Sequence, residues 1–353
     1  MKEFLKRHSV SLGFLVVLLV SLYFLQSGPS ATAIHEFGGA TMGTTYSVKV
    51  VDDRESAAAQ LLALEIGEML KTLDREVMST YSQDSELSEI NKAAINEKLV
   101  LSTEMVEVLS LAHDVNALTE GAFDVTVGPL VNRWGFGPEQ RHPSRIPDQA
   151  EIDALRARIG SQYLELDRSA ATLLKKADVY IDLSGIAKGY AVDQLANYLD
   201  GRGYSSYFIE VGGELRIKGH KPGEQTWVPA IETPMDTAPQ VHNIFYAKGE
   251  SIAVAGSGDY RNYFDLDGVH YSHEIDPATG RPVTHSLAAV YVIDASAARA
   301  DALATAFMVL GTQRGFALAQ RMGLAAYFIS KREGQEGFDD LYTSQFAHYL
   351  SPN

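Results

Sequence analysis

The spacing of apolar residues predicts short strands arranged in hairpins, with several helices between them. "TTYSVKVV" (44–51) alternates apolar and polar positions, which is typical of a half-buried strand. Residues 55–78 carry apolar side chains at helical spacing and predict a long amphipathic helix. Further helices are predicted at 85–91, 102–119, 148–159, 186–199 and 296–310, with one more after the last. Further strands are predicted within 164–185, 206–219, 226–234, 243–256, 261–276, 288–294 and 325–329.

Strand pairs of this kind favour the α+β class, because a doubly wound sheet would alternate single strands with helices. We therefore expect mixed, largely antiparallel sheets packed with helices. A buried strand is predicted to end at Asp182, shortly before the helix at 186–199. The Gly- and Pro-containing stretch "FDVTVGPLVNRWGFGP" predicts a loop.

The first 33 residues have the pattern of an export signal. A basic segment ending at Arg7 precedes an apolar run at 10–25, and an A-x-A site ends at Ala33. The run is short for a spanning helix, which needs about 20 apolar residues. A signal peptide cleaved after Ala33 and an uncleaved membrane anchor both stay open. Either one places residues 34–353, the expected functional domain, outside the cytoplasm.

Charge and composition limit the classes of partner that the protein can bind. The net charge of −15 makes phosphate backbones and anionic membrane surfaces poor partners, so no nucleic-acid partner is expected. An acidic protein that binds a phosphate needs a metal ion or a local helix terminus. The chain has no cysteine, which excludes disulfides, thiol nucleophiles and thiolate metal sites.

"GGATMGTT" (38–45) is close to a phosphate-binding loop but has Thr44 in place of the lysine. A strand also follows where that loop needs a helix, so the phosphate-loop interpretation is rejected. A flexible entry to the strand and a glycine-rich loop against a flat ligand both stay open.

"IDLSGIAKGYAVDQL" (181–195) places the small residues Ser184, Gly185 and Ala187 at the start of a helix. Small residues let a ligand approach the backbone, and the free N–H groups of a helix start attract anions. Lys188 lies in the first turn, where a cation opposes the helix dipole. It either binds an anionic ligand or points into water.

The helix "SAARADALATAFMVLG" (296–311) is apolar or small on every side from residue 300 onward, except at Asp301 and Thr305, and is predicted to be buried. These two residues lie one turn apart on one face. A buried carboxylate is costly unless it is paired or binds a metal, and carboxylate and hydroxyl oxygens suit Mg²⁺. The alternative is an ion pair between Asp301 and a distant Arg or Lys.

"YSHEIDPATGRPV" (271–283) combines a predicted strand with a Pro–Gly turn. Alternation puts Tyr271, His273 and Ile275 on one strand face. His273 either transfers protons or contacts a ligand, or it belongs to an ornate hairpin with a hydrogen-bonded imidazole. Neither a hydrolase triad order nor a zinc spacing such as H-E-x-x-H surrounds it, which argues against a metal cluster of histidines.

Eight motifs follow one another along the chain: "ATMGTTYSV", "STYSQDSELSEIN", "GAFDVTVGPLVNRWGF", "IDLSGIAKGYAVDQL", "VGGELRIKG", "GSGDYRNYF", "YSHEIDPATGRPV" and "RADALATAFMVLG". Together and in this order they resemble the FAD:protein FMN transferases, the ApbE family. The resemblance runs from about residue 40 to about residue 310. It implies an ApbE-like α+β fold, with one large domain of two lobes and the FAD site between them.

The resemblance also implies a reaction and a site. FAD binds with Mg²⁺, its pyrophosphate is cleaved, FMN passes to a Thr or Ser hydroxyl of a partner protein, and AMP leaves. The implied FAD-binding residues are Met42, Tyr81, Ala122, Phe123, Asp124, Asp182, Lys188 and His273. The implied metal ligands are Asp301, the Thr305 hydroxyl and the backbone carbonyl of Gly185. Asp301 and His273 are the candidate catalytic residues, with His273 as the base and Asp276 and Asp124 in reserve.

The implied partner is a flavin-bearing subunit of a membrane-linked electron-transfer complex, and the implied location is the periplasm, free or anchored to the inner membrane. Two features depart from the family: the chain lacks a lipid-anchoring cysteine, and Gly256 replaces a usual threonine. Two alternative functions stay open, hydrolysis of FAD to FMN and AMP, and flavin binding without catalysis.

Overall fold

Antiparallel strands make up most of the fold in the computed structural model, which describes residues 32–52, 56–137 and 145–352. The strands are β1 (Ala33–Thr41), β2 (Thr44–Asp52), β3 (Lys98–Val100), β4 (Leu164–Asp167), β5 (Thr172–Lys175), β6 (Tyr207–Val211), β7 (Glu214–Lys218), β8 (Ala230–Glu232), β9 (Val241–Ile244), β10 (Ile252–Gly258), β11 (Tyr263–Leu266), β12 (Val269–Ser272), β13 (Ile275–Asp276), β14 (Arg281–Pro282), β15 (Leu287–Asp294), β16 (Ala325–Lys331) and β17 (Phe338–Tyr342).

Eight of these strands form one sheet in the order β1-β2-β6-β7-β10-β15-β16-β17, and every neighbouring pair in it is antiparallel. A second sheet has the order β3-β5-β4, and the remaining strands form the hairpins β8-β9, β11-β12 and β13-β14. The predicted α+β class with largely antiparallel sheets is confirmed.

The described helices differ in how they begin, and in five of them a side chain accepts a free N–H group of the first turn. They are α1 (Ser56–Thr72), α2 (Glu86–Lys92), α3 (Thr103–Leu118), α4 (Gly128–Arg133), α5 (Gln149–Arg156), α6 (Ala187–Gly201), α7 (Ala297–Arg321) and α8 (Ser344–Ala347). A π-helical turn at Leu73–Met78 continues α1. Ser85, Ser102 and Asp148 cap α2, α3 and α5 as their positions predict, since each side chain accepts an N–H of the first turn.

The core forms where α6 and α7 pack on the large sheet. α7 contacts α6, β10 and β15, and most of its first four turns is buried, as its apolar composition predicts. Among the described helices it alone is long and apolar enough to cross a membrane by composition, and a buried core helix meets the same criterion.

Three of the local predictions are wrong. Residues 38–41 belong to β1, and Met42 and Gly43 form its hairpin turn with positive φ, so this stretch is not a flexible entry. The apolar run 179–183 is extended but makes only an isolated bridge, between Tyr180 and Val127, so no strand ends at Asp182. The predicted loop after residue 123 contains α4. The two helices predicted after residue 295 are confirmed, because Gly311 has non-helical dihedral angles (φ 74°, ψ 173°) and separates them within α7.

The predicted signal or anchor lies mostly outside the described residues, which begin at residue 32. Ala33 is the first residue of β1 and pairs with Asp52. The extent of the functional domain therefore stays a prediction.

Candidate active site

A cavity of about 1070 Å³ opens beside the start of α6. Its volume lies at the upper end of the usual range for small-molecule sites, about 300–1,000 Å³. Its wall combines the β1–β2 turn, the segments at 78–82 and 122–127, the first turn of α6, the turn before β7, the segment after β12 and one face of α7.

The cavity brings together every flavin contact and metal ligand that the family resemblance implies. They are Met42, Tyr81, Ala122, Phe123, Asp124, Asp182, Gly185, Lys188, His273, Asp301 and Thr305. The reserve base Asp276 is not among the lining residues; its carboxylate accepts the N–H of Ala278 in the Pro–Gly turn, at 2.9 Å. Placement at the cavity is an observation, and the role of each residue stays a prediction.

Tyr81 presents its ring at the cavity mouth. The side chain is 65% exposed, which is unusual for a large aromatic residue and leaves a flat face open to a ligand. Its backbone is fixed, because the N–H groups of Tyr81 and Ser82 donate to the Ser79 hydroxyl oxygen, each at 3.1 Å. The Ser85 and Ser88 hydroxyls in turn donate to the Ser79 carbonyl oxygen.

The Asp124 carboxylate accepts hydrogen bonds within its own turn. One carboxylate oxygen accepts the N–H and the hydroxyl of Thr126, at 2.8 and 2.6 Å. Burial raises the pKa of Asp124, although these hydrogen bonds favour its charged form. The preceding Phe123 carbonyl accepts from the Asn116 side chain at 2.7 Å. These bonds fix the wall at 122–124 and leave Asp124 a poor candidate for a mobile proton acceptor.

Asn91, which the sequence analysis missed, holds the extended segment that leads to α6. Its side-chain amide donates to the Ile181 carbonyl at 2.9 Å, and its oxygen accepts the Ile181 N–H at 2.7 Å. The next N–H, of Asp182, donates to the Val125 carbonyl at 2.7 Å. A side-chain amide thus replaces a neighbouring strand, and only the tertiary contact between α2 and this segment reveals it.

At the base of the cavity Asp301 is 2% exposed. Its Oδ2 accepts the backbone N–H of Gly189 at 3.0 Å and lies 3.7 Å from the Lys188 ammonium. Burial raises the pKa of Asp301, while Lys188 opposes that rise. The alternative of an ion pair with a distant lysine is therefore partly realised, and Lys188 faces this carboxylate rather than open water.

Glu214, also missed from the sequence, is the second carboxylate at Lys188. It is 2% exposed, and its Oε1 lies 3.1 Å from the ammonium. Burial raises the pKa of Glu214 to about 8, and Lys188 opposes the rise. Burial alone would lower the pKa of Lys188, but Asp301 and Glu214 together raise it above its ordinary value. The only sequence signal for Glu214 was its place directly after the Gly-Gly turn.

The residues that would hold Mg²⁺ fit a hard cation. Thr305 lies beside Asp301 on the cavity wall, and Gly185 packs so closely that a Cβ there would lie 2.9 Å from the Thr305 hydroxyl oxygen. Carboxylate, hydroxyl and carbonyl oxygens are the donors that Mg²⁺ prefers, usually with several waters. Among the described residues, no group of three or more His, Cys, Asp or Glu is placed so that it could hold a metal ion, and the implied ligand set contains one carboxylate, that of Asp301.

His273 is not in a strand, because β12 ends at Ser272, so the predicted alternation is wrong here. A backbone carbonyl can only accept, so Nδ1 carries a proton and donates it to the Asn262 carbonyl at 2.9 Å. The Nε2 atom lies 3.5 Å from the carboxylate of Glu274, a buried residue whose pKa is raised by burial. The imidazole can therefore exchange its second proton only at Nε2.

Comparison with known proteins identifies the family. The family model described as "ApbE family" matches residues 42–328. The chain belongs to the ApbE family. A curated relative from Vibrio cholerae, named FAD:protein FMN transferase, is 42% identical over 95% of this chain and 98% of its own length. A relative of the same name from Escherichia coli K12 is 39% identical over 91% of this chain and 90% of its own length.

Solved structures of ApbE proteins have folds similar to that of this chain. A structure titled flavin transferase ApbE from Vibrio cholerae has a TM-score of 0.80 and 41% identity, covering 90% of this chain and all of that one. The structure of the flavinyl transferase ApbE of Pseudomonas stutzeri, in its apo form, has a TM-score of 0.81 and 40% identity, covering 90% of this chain and 97% of the other. The structure of the ApbE protein of Thermotoga maritima has a TM-score of 0.79 and 30% identity, covering 90% of this chain. The family resemblance of the motifs is thereby confirmed.

Proposed function

We propose that this ApbE family member is an FAD:protein FMN transferase. It transfers the FMN part of FAD to a Thr or Ser hydroxyl of an acceptor flavoprotein, through a phosphoester bond, and releases AMP. The observation that carries the proposal is the buried Asp301 carboxylate next to Lys188, with the half-buried Thr305 beside it, in a cavity lined by every flavin contact and metal ligand that the family resemblance implies. The name and length coverage of the curated relatives support the same reaction.

The bonds that form and break in this reaction define a role for several of the chain's own residues. The acceptor oxygen forms a bond to the FMN phosphorus, the bond from that phosphorus to the oxygen bridging to AMP breaks, and AMP leaves with that oxygen. Lys188 binds the pyrophosphate, and the exposed ring of Tyr81 packs on a flat part of FAD. His273 receives the hydroxyl proton at Nε2.

Asp301, the Thr305 hydroxyl and the Gly185 carbonyl would hold Mg²⁺ at the same place. When bound, Mg²⁺ neutralises negative charge on the pyrophosphate oxygens. A carrier protein that only binds flavin would not need a buried carboxylate with a hydroxyl group beside it near the phosphates, which favours the enzyme over the carrier.

We further infer that the enzyme acts in the periplasm. The export pattern of residues 1–33 supports this location, with cleavage or anchoring at the inner membrane as its two forms. An acceptor there would be a subunit of a membrane electron-transfer complex.

The test is mass spectrometry on the full-length protein, purified in detergent and incubated with FAD, Mg²⁺ and a Thr-bearing flavoprotein subunit from the same cell. The expected result is a mass gain of one FMN on the acceptor. Asp301→Ala should abolish the gain, whereas Asp339→Ala, which removes an exposed carboxylate on β17, should preserve it. Free FMN and AMP beside an unmodified acceptor would identify a hydrolase, and intact FAD would identify a binding protein.

A further inference from the structure

The Lys188 ammonium lies between two buried carboxylates that belong to different elements. Glu214, at the start of β7, is 3.1 Å away, and Asp301, on α7, is 3.7 Å away. Both carboxylate side chains are 3% exposed, and the lysine side chain is 25% exposed. At 3.1 Å Glu214 is within hydrogen-bond distance of the ammonium, whereas Asp301 at 3.7 Å acts on it through charge alone.

The turn before β7 fixes both partners of this ion pair. Gly212 and Gly213 have positive φ, and the Gly213 N–H donates to Glu210 at 2.7 Å. A Cβ at Gly212 would lie 3.0 Å from Cδ of Lys188, so the turn packs directly on the lysine stem. The same turn that presents Glu214 therefore also limits where the ammonium can go.

Glu214 has few other reasons to be buried. Its Oε2 atom is buried and has no hydrogen-bond partner among the described residues. Burial of a carboxylate is costly, and it raises the pKa of Glu214. Its main compensation is Lys188, which indicates that contact with the lysine is what this carboxylate does in the fold.

Without Glu214, the nearest anion for the ammonium would be Asp301. Attraction between opposite charges is strong where water is excluded, and the shift needed to close the pair is small. A closed Lys188–Asp301 pair would compete with a cation for the same carboxylate, and it would turn the ammonium away from the phosphates of FAD.

We propose that Glu214 is a positioning residue of the flavin-transfer site, which holds the Lys188 ammonium off Asp301 and so keeps that carboxylate available to the cation. This inference rests on the proposed function for the identity of the ligands. Groups that hold and orient metal ligands indirectly typically change metal affinity by about 10–100-fold when they are removed.

The test is the Kd of Mg²⁺, measured by isothermal titration calorimetry on the full-length protein in detergent, with saturating FAD and no acceptor. Glu214→Gln keeps the shape of the side chain and removes its charge; we expect the Kd to rise about 10-fold. Glu210→Gln removes a charge at the end of β6, next to the same turn, while its amide oxygen can still accept the Gly213 N–H, and its Kd should stay within about twofold of the wild type.

A double-mutant cycle separates the proposed route from direct contact with the cation. Where Lys188 is already Met, no ammonium can close on Asp301, so adding Glu214→Gln should leave the Kd unchanged. A 10-fold loss that persists in the Lys188→Met protein would overturn the proposal, as would a wild-type Kd for Glu214→Gln. Because no acceptor is present, failure of FMN transfer would refute the proposed function and leave this comparison intact.

Discussion

Three contacts constrain the imidazole of His273 at the cavity wall. The Asn262 carbonyl holds its Nδ1 proton, Phe136 packs edge-on against the ring, and Glu274 approaches Nε2. An acceptor hydroxyl that is to lose a proton must therefore reach Nε2. Glu274 lies where it can stabilise the charge that the imidazole then acquires.

If His273 is the base, His273→Ala should lower the rate of FMN transfer by about 10²–10⁴-fold, the usual contribution of a positioned base. The Kd of FAD should change far less, because the pyrophosphate and the ring contacts remain. Stopped-flow transfer rates and FAD titration measure the two quantities separately. His270→Ala removes a histidine of the same hairpin that does not line the cavity, and should leave both unchanged. A variant that binds FAD weakly but turns over bound FAD normally would exclude the base role.

At the scale of elements, the crossing of α6 and α7 builds the base of the cavity. Asp193 on α6 accepts the N–H groups of Ala297 and Ala298 at the start of α7, at 2.8 and 3.0 Å. Close to this contact, the Gly189 N–H reaches Asp301. The two helices can approach so closely because the residues at the crossing are small.

Gly189→Ala should force this crossing apart. A Cβ at Gly189 would lie 2.3 Å from the Ala297 carbonyl oxygen and 2.7 Å from Cα of Ala298, and backbone atoms cannot move aside locally. We expect the free energy of unfolding to fall by about 1–3 kcal/mol, as measured by urea denaturation.

Gly201→Ala is the matched control on the same helix, because nothing lies within 4 Å of a Cβ there. Its effect should be below about 1 kcal/mol in either direction. Equal losses for the two variants would show that helix propensity, and not the crossing, determines the effect at Gly189.

At the scale of the whole molecule, the cavity concentrates carboxyl groups that burial keeps away from water. Burial raises the pKa of Asp124, Glu214, Glu274 and Asp301. An acid whose pKa is higher in the folded than in the unfolded state binds more protons when folded. The folded chain is therefore favoured at the acid end of the range between the two pKa values.

For Glu214 that range runs from the ordinary pKa of 4.5 to about 8. Without metal, its contribution should lower the free energy of unfolding as the pH rises from about 5 to 8. Glu151, whose pKa is lowered to about 2 mainly by Arg145, is almost fully ionised in both states above pH 6 and adds little slope there. Urea denaturation with a chelator at pH 5, 6, 7 and 8 measures the slope. Glu214→Gln should reduce it; an identical slope in the variant would contradict the assigned shift.

Local signals in the sequence predicted the helix starts and several turns, because these depend on neighbours in the chain. Ser85, Ser102 and Asp148 cap helices within their own first turns, and the Gly-Gly pair at 212–213 turns between β6 and β7. The apolar surround of Asp301 likewise predicted its burial on α7, and the family resemblance implied which distant residues share the cavity.

Long-range contacts decided the rest. An apolar run such as 179–183 has the same pattern whether it pairs in a sheet or packs beneath one, and here the side chain of Asn91 holds it outside any sheet. The sequence by itself determined the class of the fold and the family. Only the tertiary structure decided that Glu214 and Asp301 share Lys188, because both the burial and the charge of each group depend on elements far apart in the chain.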